Sequence, residues 1–183
     1  MNVSIDGFAD HTVAVAADDE LHDFFNDLLD DVETLLFGRV TYQLMETYWP
    51  HAPEDPQASR SIIAFANKFN AMPKIVFSRT LQRADWNNTR LVRGNVAEEV
   101  IKLKQAPGKN LSIGGLSICQ ELMRLGLVDE YWLLVQPVIW GKGRRLFDGL
   151  NERINLRLVD TKEFASGVIV LHYLAGKVGE GRT

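Results

Sequence analysis

Apolar positions along the chain alternate between helical and strand spacing. Leu21, Phe24, Phe25, Leu28, Leu29 and Val32 form one stripe, and Asp19, Asp23, Asp27, Asp30 and Asp31 fall off it. That spacing predicts an amphipathic helix with its acids in water and Asp18 as its cap. Thr34 to Phe37 then reads as a compact strand ending at Gly38, and Arg39-Val40-Thr41-Tyr42 opens a second helix reaching about Thr47. Asp55-Pro56 is placed to begin a third helix as cap and first residue, with Ile62, Ile63, Ala66 and Phe69 on its inner face. Lys74-Ile75-Val76-Phe77 is a strand running into Ser78-Arg79, and Leu91-Val92 is a short one running into Gly94. Val96, Val100, Ile101 and Leu103 belong to a helix before Pro107. Asn110-Leu111-Ser112-Ile113 is a buried strand, Gly114-Gly115 follows, and Leu116, Ile118, Leu122 and Leu125 return to helical spacing until Gly126 stops the run.

The ends read differently. Met1 to Ile5 looks like the end of a strand, with Val3 and Ile5 on one face and Asp6-Gly7 turning the chain. So short a first strand suggests that the natural chain begins a few residues earlier. Residues 11–17 and Tyr48 to Asp55 read as loops. Tyr131 to Ile139 is a long strand in which Pro137 calls for an edge or a bulge. Trp140 to Asp148 is a glycine-rich basic loop, Gly141-Lys142-Gly143-Arg144-Arg145 at its centre. Asn155 to Phe164 and Val168 to Leu174 alternate about Ala165-Ser166-Gly167, which predicts a hairpin, and a flexible tail runs from 177 to 183. Strand and helix alternate and an antiparallel end follows. The expected architecture is a single α/β domain over residues 1–176, with a mostly parallel mixed sheet covered by helices and a C-terminal hairpin at one edge.

Composition narrows the function more than the fold. The chain has 183 residues, 46% hydrophobic and 24% charged, enough to bury a core without disulfides or metal. A net charge of −4 argues against a nucleic-acid coat protein and against a polybasic membrane binder, while leaving room for a local basic pocket. Cys119 is the one cysteine, so no internal disulfide forms, and the four histidines show no ligand spacing, so no metal is expected. With neither a signal peptide nor a spanning apolar run, a reducing cytoplasm is the expected location.

The candidate chemistry sits where strands end. At Gly114-Gly115, two residues without Cβ let backbone amides converge at the N-terminus of the helix that opens with Leu116 and Ser117, a natural seat for a phosphate. A tight turn that binds nothing accounts for the same pair. Gly38 with Arg39 and Thr41 repeats the junction and adds a guanidinium and a hydroxyl, beside an anion or simply solvated. Ser78-Arg79 again puts a hydroxyl and a guanidinium at the C-terminal end of a strand, where ligands collect in open α/β sheets. Trp49, next to Pro50, either walls a pocket or plugs the core. The loop holding Lys142 and Arg144 is either a solvated turn or a lip over an anionic ligand.

These segments together resemble the dihydrofolate reductase-like superfamily, and most closely its RibD C-terminal branch, the riboflavin-biosynthesis reductase-like domains. The resemblance rests on Asn2-Val3-Ser4-Ile5-Asp6-Gly7, on Gly38-Arg39-Val40-Thr41-Tyr42 running on to Tyr48-Trp49-Pro50, and on Phe77-Ser78-Arg79. Ile113-Gly114-Gly115 continues it, as do Leu127-Val128-Asp129-Glu130 and Gln136-Pro137-Val138 through Gly141-Lys142-Gly143-Arg144-Arg145-Leu146-Phe147. It implies a three-layer α/β/α fold and hydride transfer from NADPH to a C=N or C=O carbon of a small heterocyclic or sugar-derived substrate. Arg39 and Thr41 would hold phosphate beside Gly38, and Gly114, Gly115, Leu116 and Ser117 would cradle the pyrophosphate. Ser78 and Arg79 would meet the adenosine 2′-phosphate. Asp6 is the candidate catalytic group, as proton source or as a carboxylate holding an N–H edge, against the alternative of an Asp-Gly turn bonded to its own backbone. Trp49, Lys142 and Arg144 would line the substrate side. The resemblance also implies a homodimer, for which Tyr131 and Trp132 offer apolar surface, although core packing explains that pair as well. The alternatives are a dinucleotide-binding sensor or scaffold without turnover, and a true dihydrofolate reductase.

Overall fold

The computed structural model describes residues 1–9, 17–150 and 152–176. In chain order the elements are β1 (Asn2–Ser4), α1 (Asp19–Asp30), β2 (Val32–Gly38), α2 (Arg39–Tyr48), a 3-10 turn (Ala52–Glu54), α3 (Arg60–Ala71), β3 (Lys74–Phe77), β4 (Thr89–Val92), α4 (Val96–Gln105), β5 (Asn110–Gly114), α5 (Leu116–Arg124), β6 (Glu130–Gln136), β7 (Leu156–Glu163) and β8 (Ile169–Ala175). The loop expected over 11–17 lies outside the described residues except for Ala17, and so does the tail from 177. The described residues gather into two compact units, one drawn from Met1–Ala16 with Cys119–Thr183 and the other from Ala17–Ile118.

The Ala17–Ile118 unit is built on a wholly parallel sheet in the order β4-β3-β2-β5. Leu35, Leu36 and Phe37 are buried, and so is every residue of β3, as expected of strands covered on both faces. The core is aromatic. Phe37, Phe65, Phe69 and Trp86 gather with Leu35, Tyr42, Met72 and Val76, and Phe65 and Phe69 stack with ring centroids 4.9 Å apart. Such ring pairs add about 0.5–1.5 kcal/mol each beyond the area they bury.

The caps explain where the helices begin. Asp18 accepts from the Leu21 amide at 2.9 Å, as expected. The third helix departs from expectation: it starts at Arg60, with Ser59 Oγ accepting from the Ile62 amide at 3.3 Å. The Asp55 carboxylate accepts from the Gln57 amide instead, closing a separate turn. Lys74 is fully buried on β3. Its ammonium donates to the carbonyls of Asn70 at 3.0 Å, Met72 at 2.8 Å and Asn87 at 3.3 Å, and lies 4.5 Å over the Trp86 ring. Burial pulls this amine down to about 8.

The other unit carries a mixed sheet in the order β1-β6-β8-β7, with β1 parallel to β6 and the remaining pairs antiparallel. The expected hairpin is β7–β8, closed by Ala165-Ser166-Gly167 with Gly167 at φ 82. Two strand ends move. Ile5 lies past the end of β1 and is 63% exposed, while Val3 is buried. β6 stops at Gln136, three residues short of expectation, because Pro137 has no amide to continue the ladder; the Val138 amide turns back to the Gln136 carbonyl at 2.7 Å. Helix α5 ends as Gly126 signalled. Gly126 at φ 65 donates to Met123 O and Leu127 donates to Leu122 O, which satisfies the last carbonyls.

Candidate functional site

In the Ala17–Ile118 unit, the chain's three strand-end motifs arrive at one edge. Strand register aligns Phe37 with Gly114 and Gly38 with Phe77, so β5, β2 and β3 finish side by side. Gly114-Gly115, Gly38-Arg39 and Ser78-Arg79 therefore leave the C-terminal edge of adjacent parallel strands, where ligands gather in open α/β sheets.

The first turn of α2 differs from those of its neighbours. Helices α1, α3 and α4 begin on Asp18, Ser59 and Asn95, each accepting a hydrogen bond from a first-turn amide. Helix α2 begins on Gly38, with no side-chain cap. Its positive end is thus open to an anion's charge. The β5–α5 turn lies against it. Gly115 sits at φ 114, and a Cβ built there would collide with Thr41 Oγ1; a Cβ on Gly38 would lie 3.9 Å from Ile118. Two helix N-terminal turns thus meet through Thr41 and Gly115. Gly114 is glycine for a separate reason, since a Cβ there would lie 2.6 Å from the Phe37 ring edge. Leu116 is buried and Ser117 is exposed in the first turn of α5.

Arg39 carries this edge toward the third motif. Exposed along α2, it donates to Gln43 Oε1 at 3.0 Å, and these two residues line an open recess of about 610 Å³ with Thr80, Leu81, Gln82 and Arg83. Ser78 shapes that loop from its base. Its hydroxyl accepts from the Thr80 amide at 3.2 Å and the Leu81 amide at 2.9 Å. Arg79 is exposed, and Arg83 pairs with Asp85 at 2.7 Å. Sequence reasoning missed Gln43, Thr80, Arg83 and also Arg93, which donates to the carbonyls of Arg79 and Gln82. A signal for Arg93 was present: an arginine follows β2, β3 and β4 alike, at positions 39, 79 and 93.

Trp49 is taken up by the core. Its ring lies 4.6 Å from Phe65 and 5.8 Å from Phe69 between centroids, and its Nε1 donates to Met45 Sδ at 3.0 Å. The residue is half-buried at the edge of the core, and the recess lining does not include it.

In the other unit, Asp6 does more than close its own turn. Its Oδ1 accepts from Ser4 Oγ at 2.7 Å and from the Trp140 amide at 2.9 Å, and its Oδ2 accepts from the Gly141 amide at 2.8 Å. The Trp140 amide first, then the Ser4 hydroxyl, holds this carboxyl well below the usual carboxylate range, at about 2. At neutral pH Asp6 is an acceptor and not a proton donor. It anchors the basic loop, whose far end is held as well: Gln120 Nε2 donates to Arg145 O at 2.8 Å, Arg144 Nη2 donates to Gln120 Oε1 at 3.3 Å, and the Arg145 guanidinium lies 5.0 Å over the Phe8 ring. Lys142 is exposed on this loop. Among the described residues no helix is long and apolar enough to cross a membrane.

With this geometry in hand, known proteins fall into place. The model of the RibD C-terminal domain family matches residues 1–170. The uncharacterised protein YyaP of Bacillus subtilis (strain 168) is 39% identical over 150 residues, which cover 81% of this chain and 77% of that protein. A putative riboflavin biosynthesis protein from Shewanella sp. PV-4 superposes with a TM-score of 0.71 at 20% identity, covering 97% of each chain. A diaminohydroxyphosphoribosylaminopyrimidine deaminase/5-amino-6-(5-phosphoribosylamino)uracil reductase from Thermotoga maritima gives a TM-score of 0.62 at 17% identity, over 96% of this chain and 55% of that one. Dihydrofolate reductase from Enterococcus faecalis, complexed with NADP(H), gives 0.61 at 14%, over 96% and 94%. At these identities the structures show the fold, which is dihydrofolate reductase-like, with a parallel sheet and an antiparallel hairpin.

Proposed function

The chain belongs to the RibD C-terminal domain family, and from that premise we propose that it is an NADPH-dependent reductase acting on a C=N or C=O carbon of a small heterocyclic or sugar-derived substrate. Family and neighbouring reductases support a reductase-type function. The cofactor and the substrate class rest on the site. The observation that carries them is the shared strand edge: two helix N-terminal turns meet at Thr41 and Gly115, and Arg39 extends from them into the recess lined by Thr80 and Arg83. One elongated ligand with separated phosphates suits such an edge better than three unrelated anions.

When bound, the nicotinamide supplies the hydride; the chain supplies alignment and countercharge. Gly38, Arg39 and Thr41 would hold phosphate at the uncapped start of α2. Gly114, Gly115, Leu116 and Ser117 would receive the pyrophosphate at the start of α5. Arg79 would meet the adenosine 2′-phosphate, with Ser78 fixing the loop that presents it. On the substrate side, Lys142 and Arg144 would supply positive charge from the loop that Asp6 anchors. The same reading extends to a homodimer working in the cytoplasm.

Titration of NADPH and NADH into the wild type and Arg79→Ala tests the cofactor assignment. The wild type should bind NADPH saturably, and Arg79→Ala should weaken NADPH about 10-fold more than NADH. Equal losses would remove Arg79 from the 2′-phosphate, and a flat wild-type titration would sink the proposal. Substrate-dependent NADPH oxidation across a metabolite panel that includes dihydrofolate then separates an enzyme from a binding protein without turnover.

A further inference from the structure

The loop 78–83 spends its own backbone groups on holding its shape. The amides of Thr80 and Leu81 donate to Ser78 Oγ at 3.2 and 2.9 Å. Two of its carbonyls are taken as well: Arg93 Nη2 donates to Gln82 O at 2.9 Å and Arg93 Nη1 reaches Arg79 O at 3.5 Å. Arg93 directly follows β4, whose Val92 carbonyl accepts the Ser78 amide at 3.0 Å, so guanidinium and loop leave the same point of the sheet. One planar fork bridging two carbonyls three residues apart fixes a loop in a way that a point charge does not. With these groups committed, Thr80, Leu81, Gln82 and Arg83 line the recess and the loop carries Arg79 exposed at its start.

We infer that Arg93 is a positioning residue for nucleotide discrimination: by tying the carbonyls of Arg79 and Gln82 it sets the loop so that Arg79 meets a phosphomonoester on the dinucleotide's ribose. This inference rests on the proposed NADPH site and assigns the preference for the extra phosphate to a residue that does not itself line the recess. Charge alone and positioning separate cleanly. Arg93→Lys keeps the charge and loses the fork, whereas Arg93→Met loses both.

The test measures dissociation constants for NADPH, NADH, 2′,5′-ADP and 5′-ADP with the wild type, Arg93→Lys and Arg93→Met, together with the Tm of each. The expected result is that both variants keep the wild-type Tm and lose about 10-fold of the NADPH-over-NADH preference, with the same loss for 2′,5′-ADP over 5′-ADP. Retention of the preference by Arg93→Lys would make Arg93 a bulk charge and overturn its positioning role. Equal weakening of phosphorylated and unphosphorylated ligands would overturn it too. Wild-type protein that binds none of the four would overturn the site reading itself, a different failure from a wild type that binds NADPH and variants that match it.

Discussion

Asp6 accepts three hydrogen bonds, two of them from amides more than 130 positions away in the chain, so its ionisation is tied to the loop it anchors. Its folded-state value of about 2 lies below the ordinary 3.8. Between those values the unfolded chain binds more protons than the folded one, so the stabilisation is complete above about pH 4 and is lost as pH falls toward 2. Amide exchange at Trp140 and Gly141, corrected for its intrinsic pH dependence, should show protection that disappears over that range. Asp6→Asn should lose protection already at neutral pH, because an amide nitrogen replaces one accepting oxygen, and it should lower turnover with little change in NADPH affinity. Wild-type protection in Asp6→Asn would mean that the loop is held by something else. The sequence offered Asp6 as a catalytic group or a local turn. Neither description contained Trp140, since nothing in the spacing of residues says which loop lies across from which turn.

Among the elements, the start of α3 is the sharpest departure from expectation. Asp55-Pro56 has the chemistry of a cap and first residue, and the helix ignores it because Ser59 sits directly before the run Ile62, Phe65, Ala66 and Phe69. Ser59→Ala should cost about 1 kcal/mol in urea unfolding, and Asp55→Ala should stay within about 0.5 kcal/mol. The reverse ranking would return the helix start to Asp55. Glycines were the readable part of the site. Gly38 and Gly115 mark junctions that the sequence showed as breaks between periods. The reasons behind them were not readable, because Gly114 answers to the Phe37 ring and Gly115 to Thr41, contacts that depend on strand register. Arg93 escaped for the same cause: the arginine after β4 becomes interesting only once β4 is known to lie beside β3.

At the scale of the whole molecule, the alternation of strand and helix carried the α/β class and the closing hairpin, while the division of the strands among the described residues between two four-stranded sheets had no trace in local periodicity. Of the two explanations open to Tyr131 and Trp132, core packing accounts for both rings. Tyr131 is buried and Trp132 stacks on His172 at 3.7 Å, whereas the edge strand β7 is exposed along its whole length and carries Leu156, Leu158 and Val159. If the homodimer forms through that edge, sedimentation should give a dimer for the wild type and a monomer for Leu158→Glu. A wild-type monomer at micromolar concentration would remove the dimer from the proposal.

Lys74 has a chemical consequence of its own. An amine near 8 is largely unprotonated in mildly alkaline solution and so is a capable nucleophile, yet this one is sealed beneath Trp86 and the end of α3. Acylating reagents should modify the surface lysines while the native chain shelters this amine. Adducts at Lys74 therefore record the moments when the protein has come open.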